Sequence, residues 1–305
     1  MSALLTIPGP VHDIAWSVLK TRCEYKHFRG GKLSRAAFGE FLDSIALELV
    51  AAGLPQEDVH FAKRYPRSEA NFVKQMLCRL AARDILPGCK YDGHRYDDVI
   101  KRAQSEYEHG PFHTYIYPEE ARLLFAIADI ARPRSAVFLG SYYGYWACAA
   151  IQTIAAHGGK VVLVDPDPRA QSVAQRNIAK SEFRDAVTII TTCGEEYLDS
   201  TPEMFDFVVL DAEGPRDHAD PDQRGKAVYA PLLRHALPHM PYDSYLICHN
   251  ILFEDICHCS FFDGIIARNQ RELASFVDLL RREFPNFTEC KSTEGVGVGR
   301  RRPIA

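Results

Sequence analysis

The sequence predicts an α/β protein: a doubly wound, mostly parallel seven-stranded sheet ending in an antiparallel hairpin and preceded by a helical region. Three observations predict it. From Ser135 onward short apolar runs alternate with amphipathic stretches, five times over. Strands apolar on both faces belong in a sheet covered by helices on each side. Two runs near the end, "NFTECKS" and "GVGVGRR", are separated only by "TEG", which reads as a hairpin at the sheet edge. Before Glu108, by contrast, apolar residues recur at three- and four-residue spacing, the period of a helix.

Taken in order, "VHDIAWSVLKTRCEYKHF", "SRAAFGEFLDSIALELVAAG" and "SEANFVKQMLCRLAARDIL" are the helical candidates of the first third. Ser34 and Ser68 stand as N-caps, and Gly53 and Gly88 where helices would stop. The turn-rich, aromatic segment "HGPFHTYIYPEE" then leads into the amphipathic "EEARLLFAIADIA". The strands follow as "SAVFLG", "KVVLVD", "AVTIITT", "DFVVLD" and "SYLICHN", each with a helix behind it. This divides the chain into a helical region, 1–110, and a Rossmann-like domain, 111–305.

A chain of 305 residues with 47% hydrophobic content can bury a substantial core. A net charge of -4 supplies no Lys/Arg excess to neutralise phosphates, so nucleic acid is not expected as a partner. The N-terminal "MSALLTIPGPVHD" has no basic region ahead of an apolar one, and no long uncharged apolar run occurs, so neither export nor a membrane is expected. Nine cysteines, an odd number, fit reduced thiols in the cytoplasm. Cys248, His249, Cys257, His258 and Cys259 cluster in "CHNILFEDICHC", but C-x-C lacks the usual spacing of a structural zinc site, so buried or loop thiols are expected.

In an open α/β sheet, ligands bind beyond the carboxyl ends of the strands. Gly140 and Gly144 follow the first strand, where glycine lets backbone approach a ligand. Asp165 ends the second strand, where a carboxylate can accept both hydroxyls of a ribose. "TTCGEE" and "LDAEG" follow the third and fourth strands.

Together "FLGSYYGYWACAA", "VVLVDPDPRAQSVAQRNI", "TIITTCGEEYL", "FDFVVLDAEG" and "YLICHNIL" resemble the successive motifs of class I S-adenosylmethionine-dependent methyltransferases. The likeness is greatest to the catechol and caffeoyl-CoA O-methyltransferase branch, and it covers the chain from about Tyr117 onward. The resemblance implies S-adenosylmethionine as cofactor. It implies that Gly140, Ser141, Tyr142 and Gly144 surround its methionyl part, that Asp165 holds the ribose and that Glu195 meets the adenine. A sulfonium cation is attracted to aromatic faces, so Tyr142, Tyr145, Tyr115 and Tyr117 are expected as a cage, whereas Tyr143 and Trp146 suit core packing.

Departures from the family pattern are informative. Where metal-dependent members carry an Asp and then an Asp-Asn pair, this chain has Asp211 and then His249-Asn250. Magnesium wants oxygen ligands; the set suits a softer ion better, and no bound metal is favoured. The lysine usual after the strand-four Asp is Gly214, and the acid before the glycine loop is Phe138. Tyr117, Asp211 and His249 are the residues expected to act on the reaction, Asp211 also serving the cofactor's amino group or a substrate amine. His249 is either a general base or a packed strand-end histidine. The expected activity is methyl transfer to oxygen or nitrogen of a small molecule. The alternatives are cyclisation of the cofactor to azetidine-2-carboxylate with release of methylthioadenosine, and a non-catalytic cofactor-binding scaffold. The helical first third would cover the cofactor, shape the acceptor pocket or form a homodimer.

Overall fold

The structure is a computed structural model that describes residues 8–303. Residues 1–7 of the expected helical region, and 304–305, lie outside the described residues.

The strands are β1 (Ser135–Leu139), β2 (Lys160–Val164), β3 (Val187–Ile190), β4 (Phe207–Leu210), β5 (Tyr245–Cys248), β6 (Thr288–Cys290) and β7 (Val296–Arg300). Their order is β3-β2-β1-β4-β5-β7-β6. The first five are parallel, and β7 runs antiparallel between β5 and β6, as the hairpin signal implies. The order reverses between β1 and β4, which makes their carboxyl ends the ligand-binding crevice. Register aligns that crevice: Leu139 is level with Val164 and Leu210, and Leu210 with Cys248. The next residue on each strand is therefore Gly140, Asp165, Asp211 or His249, four side by side.

Alternation along each strand sorts side chains between two helical layers. Ala136 and Phe138 of β1 face the layer that contains helices Pro118–Ala131 and Tyr145–Ala156; Val137 and Leu139 face the layer of Tyr229–Ala236 and Ala274–Glu283. Helices Glu69–Ala82 and Gly93–Glu106 join the first layer. The preceding residues form a smaller core around Phe28, Phe38 and Leu42, which Tyr117, Leu252 and Phe262 complete. Arg64 ties that core to the far end of the chain. It is fully buried and donates to the carbonyls of Ser292, Thr293 and Glu254.

Local chemistry sets the helix ends. Ser34 accepts from the Ala37 amide and Ser68 from the Asn71 amide, so both cap as expected. Gly53 follows its helix with φ +103°. Gly88 ends nothing: its helix stops at Ala82, Asp84 takes φ 56°, and Ile85 and Leu86 turn back into the core. The first periodic stretch is two helices, Val11–Leu19 and Cys23–Arg29, because the bend lets Leu19 and Phe28 reach the same small core. The last is also two, Phe261–Glu272 and Ala274–Glu283. No helix among the described residues is long and apolar enough to cross a membrane.

Candidate active site

The glycine turn is held from within. Gly140 has φ +80°, and a Cβ there would lie 2.6 Å from Ala212 Cα, so only glycine lets the β1 and β4 ends approach this closely. The amides of Gly140 and Ser141 both donate to the Val164 carbonyl at 3.0 Å. Tyr142 takes φ 52° and points its amide at Asp165 Oδ2, 2.8 Å away, while the Asp167 amide donates to Oδ1 at 2.9 Å. Asp165 thus holds a carboxylate oriented by two backbone amides, one on each oxygen. Burial nevertheless raises its pKa, with the two amides pulling the other way. Ser141 Oγ accepts from Gln171 at 3.1 Å, and Gly144, at φ +82°, opens the helix Tyr145–Ala156. Glu195 heads the helix after β3 and accepts from Gln223 at 3.2 Å.

The expected aromatic cage divides into two pairs. Tyr142 and Tyr115 are 39% and 43% exposed and stand at the rim. Tyr145 is buried with Tyr143 in an aromatic cluster, its ring centroid 5.4 Å from that of Tyr107 and 5.1 Å from that of His109. Tyr117 is also buried; its ring packs on Tyr65 and its hydroxyl has no hydrogen-bond partner. Packing of the helical region onto the sheet buries both Tyr117 and Tyr145, and both line a cavity of about 360 Å³ with Tyr25, Tyr65 and Tyr96. Trp146 packs as expected, 4.6 Å from the His249 ring.

The other half of the row is a buried charge network. His249 sits between two carboxylates: Nδ1 is 3.2 Å from Asp211 Oδ1 and Nε2 is 3.0 Å from Glu120 Oε2. Burial opposes its protonation, but Asp211 and Glu120 outweigh that and carry its pKa up to about 10. Both ring nitrogens are engaged by carboxylates, which favours the packed strand-end alternative over the general base. Glu120 is completely buried and also accepts from Ser292 and the Glu294 amide; despite burial, which pushes the other way, His249 and these donors keep its pKa low. Its neighbour Glu119, held by Thr293, is pushed up to about 8 by burial and by Glu120.

This arrangement does not fit a metal at Asp211, His249 and Asn250. A metal needs a free imidazole lone pair, and here both ring nitrogens are within hydrogen-bond reach of carboxylates. Among the described residues no group of three His, Cys, Asp or Glu side chains is arranged to hold an ion. In the cysteine cluster, Cys248 is buried on β5 and Cys257 donates to Asp255 Oδ1.

Sequence alone misses Glu120 and Lys226. "PEEAR" does carry a signal for Glu120: at the third helical position it reaches back to the Tyr117 amide at 3.1 Å. Lys226 explains the departure at Gly214. Gly214 and Gly225 exchange backbone hydrogen bonds, and a Cβ on Gly214 would lie 1.8 Å from the Gln223 carbonyl oxygen. No lysine fits there. Lys226 lies beside this bridge and its Nζ donates to the Ala212 carbonyl at 3.0 Å.

Residues 137–251 match the family model described as a methyltransferase domain. The fold is shared with the SAH-bound methyltransferase PaMTH1 of Podospora anserina, at 14% identity and TM-score 0.52, over 70% of this chain and 90% of that one. An O-methyltransferase from Bacillus cereus in complex with SAH is 18% identical with a TM-score of 0.47, over 69% and 92% of the two chains. TomG, an O-methyltransferase from Streptomyces achromogenes in complex with SAM, is 15% identical with a TM-score of 0.47, over 70% and 92%. No curated protein matches the chain in sequence. The matched stretch contains Gly140, Asp165, Asp211 and His249, the residues that end the four central strands.

Proposed function

We propose that this protein binds S-adenosylmethionine over β1 and β2 and methylates an oxygen or nitrogen of a small molecule placed over β4 and β5, without a bound metal. The observation that carries the reading is Asp165, oriented by the Tyr142 and Asp167 amides beside the strained glycine turn. The match of residues 137–251 to a methyltransferase domain supports it. When bound, the cofactor supplies an activated methyl group on a sulfonium centre.

The chain supplies alignment and exclusion of water. Gly140, Ser141 and Gly144 offer close backbone, Asp165 accepts the ribose hydroxyls, Glu195 borders the adenine, and Tyr142 and Tyr115 cover the rim. Asp211 commits Oδ1 to His249, and among the described residues Oδ2 has no protein donor. Asp211 Oδ2 then accepts a hydrogen bond from the acceptor hydroxyl or amine, orienting its lone pair, and takes up the proton the acceptor loses on methylation. His249 acts through Asp211 as a positioning residue, and Glu120 holds His249.

The test is mass spectrometry of the purified protein with S-adenosylmethionine and a panel of phenols and amines, with and without EDTA. S-adenosylhomocysteine and a methylated acceptor, unaffected by EDTA, are expected. Methylthioadenosine appearing without acceptor would replace transfer by cyclisation; cofactor binding with no product from any acceptor would leave the scaffold reading. Asp165→Ala should weaken cofactor binding by about 10- to 100-fold, as loss of charge-assisted hydrogen bonds does. Unchanged affinity would sink the assignment.

A further inference from the structure

A cleft of about 530 Å³ lies over the carboxyl ends of β4 and β5. The loop after β4 forms one wall and helix Phe261–Glu272 the other, with Asn250 and Glu294 also lining it. Its charge is unusual for a chain with a net charge of -4. Lys226, Arg216, Arg224, Arg268 and Arg271 line it, against Glu213, Asp222, Glu272 and Glu294.

The cations here are not spent on the anions. Elsewhere arginines pair with carboxylates, Arg122 with Glu69 and Arg301 with Glu283. Among the described residues, Arg216, Arg268, Arg271 and Lys226 form no ion pair. Lys226 is buried, with a backbone carbonyl as its one hydrogen-bond acceptor, and Glu272 is turned to the Lys226 backbone amide. Arg268 is half-buried. Asn250 Oδ1 is buried without a donor in the same cleft, so it suits a hydroxyl or amine N–H rather than the anion. Lys226, buried, and Arg268, half-buried, are cations without an ion pair on one cleft, and such a pair suits an oxyanion because a guanidinium fork matches a carboxylate or phosphate.

We propose that this cleft is the acceptor pocket and that it selects small molecules whose non-reacting end is an oxyanion, carboxylate or phosphate, held by Arg268 and Lys226. The proposal rests on the methyl-transfer reading. It places the charged end against helix Phe261–Glu272 and the reacting hydroxyl or amine toward Asp211.

The experiment measures binding of four matched phenols to the full chain saturated with S-adenosylhomocysteine, by calorimetry or saturation-transfer NMR. The probes are 4-hydroxybenzoate, 4-hydroxyphenyl phosphate, 4-hydroxybenzyl alcohol and 4-hydroxybenzylamine. At least one oxyanion should bind about tenfold or more tightly than the alcohol, the amine should bind most weakly, and the better of the two oxyanions identifies the group. Arg268→Glu should abolish the preference while S-adenosylhomocysteine affinity stays unchanged. Equal binding of all four, binding of none, or a preference that survives Arg268→Glu overturns the proposal. Failure of the native chain to bind S-adenosylhomocysteine overturns the transfer reading first, and this proposal with it.

Discussion

The two ends of the strand row are built differently. At the glycine turn, Asp165 bonds to Tyr142, 23 residues away, and to Asp167, two away. At the other end, His249 meets Asp211 across 38 residues and Glu120 across 129, and Glu120 meets Ser292 across 172. One half is a local motif that a strand, a turn and a second strand assemble. The other exists only when the lead-in helix, two strand ends and the C-terminal hairpin have all docked. The first should therefore tolerate loss of the second, because its bonds lie within the ends of the neighbouring strands β1 and β2 and the turn after β1.

The largest effect should come from breaking the long-range half. His249→Ala leaves Glu120 buried without its counter-ion, which costs about 3 to 5 kcal/mol, read by denaturant unfolding. A pH series sharpens this. The folded pKa of His249, about 10, lies above its ordinary 6.5. Its stabilisation is therefore complete below about pH 6.5 and lost as pH rises through about 10. Glu119, raised from 4.5 to about 8, contributes with the same sign over that lower window. Stability should thus decline from pH 4.5 upward. His249→Gln should flatten the 6.5 to 10 limb and Glu119→Gln the 4.5 to 8 limb. A His249→Gln protein with the native slope would refute the charged imidazole.

Breaking the local half should cost less in stability and more in binding. Gly140→Ala introduces a Cβ 2.6 Å from Ala212 Cα at a positive φ, which costs about 2 to 3 kcal/mol and should remove S-adenosylhomocysteine binding in titration. If the variant folds and binds normally, the close approach of the β1 and β4 ends is not needed. The smallest effect separates packing from chemistry. Tyr117→Phe deletes a buried hydroxyl with no partner, so stability should rise by up to about 1 kcal/mol with turnover unchanged. A large fall in turnover at unchanged stability would restore Tyr117 to the reaction.

Much of the local half was legible. Five apolar runs and the "TEG" turn lie within short windows, and each became the expected strand or hairpin, although β3 at the sheet edge is only partly buried. The aromatics were harder, because Tyr142 and Tyr145 sit three residues apart in one loop yet end at the rim and in the core respectively. The direction of each ring depends on which neighbour arrives, and Tyr107 and His109 arrive beside Tyr145. Gly214 and Lys226 show the same limit: one residue is missing a side chain because the backbone of Gln223 is in its place, and the amine enters from the next segment.

The sequence by itself determined the number, type and order of the strands and the glycine and acidic residues at their ends, because backbone propensity, two-residue alternation and turn chemistry act over a few neighbours. Only the tertiary structure decided the carboxylate partners of His249, the burial of Tyr117 and Tyr145, and the convergence of unpaired cations around Lys226. Those properties are sums of desolvation and Coulomb interactions over groups distant in the chain, and they have no value until the chain has folded.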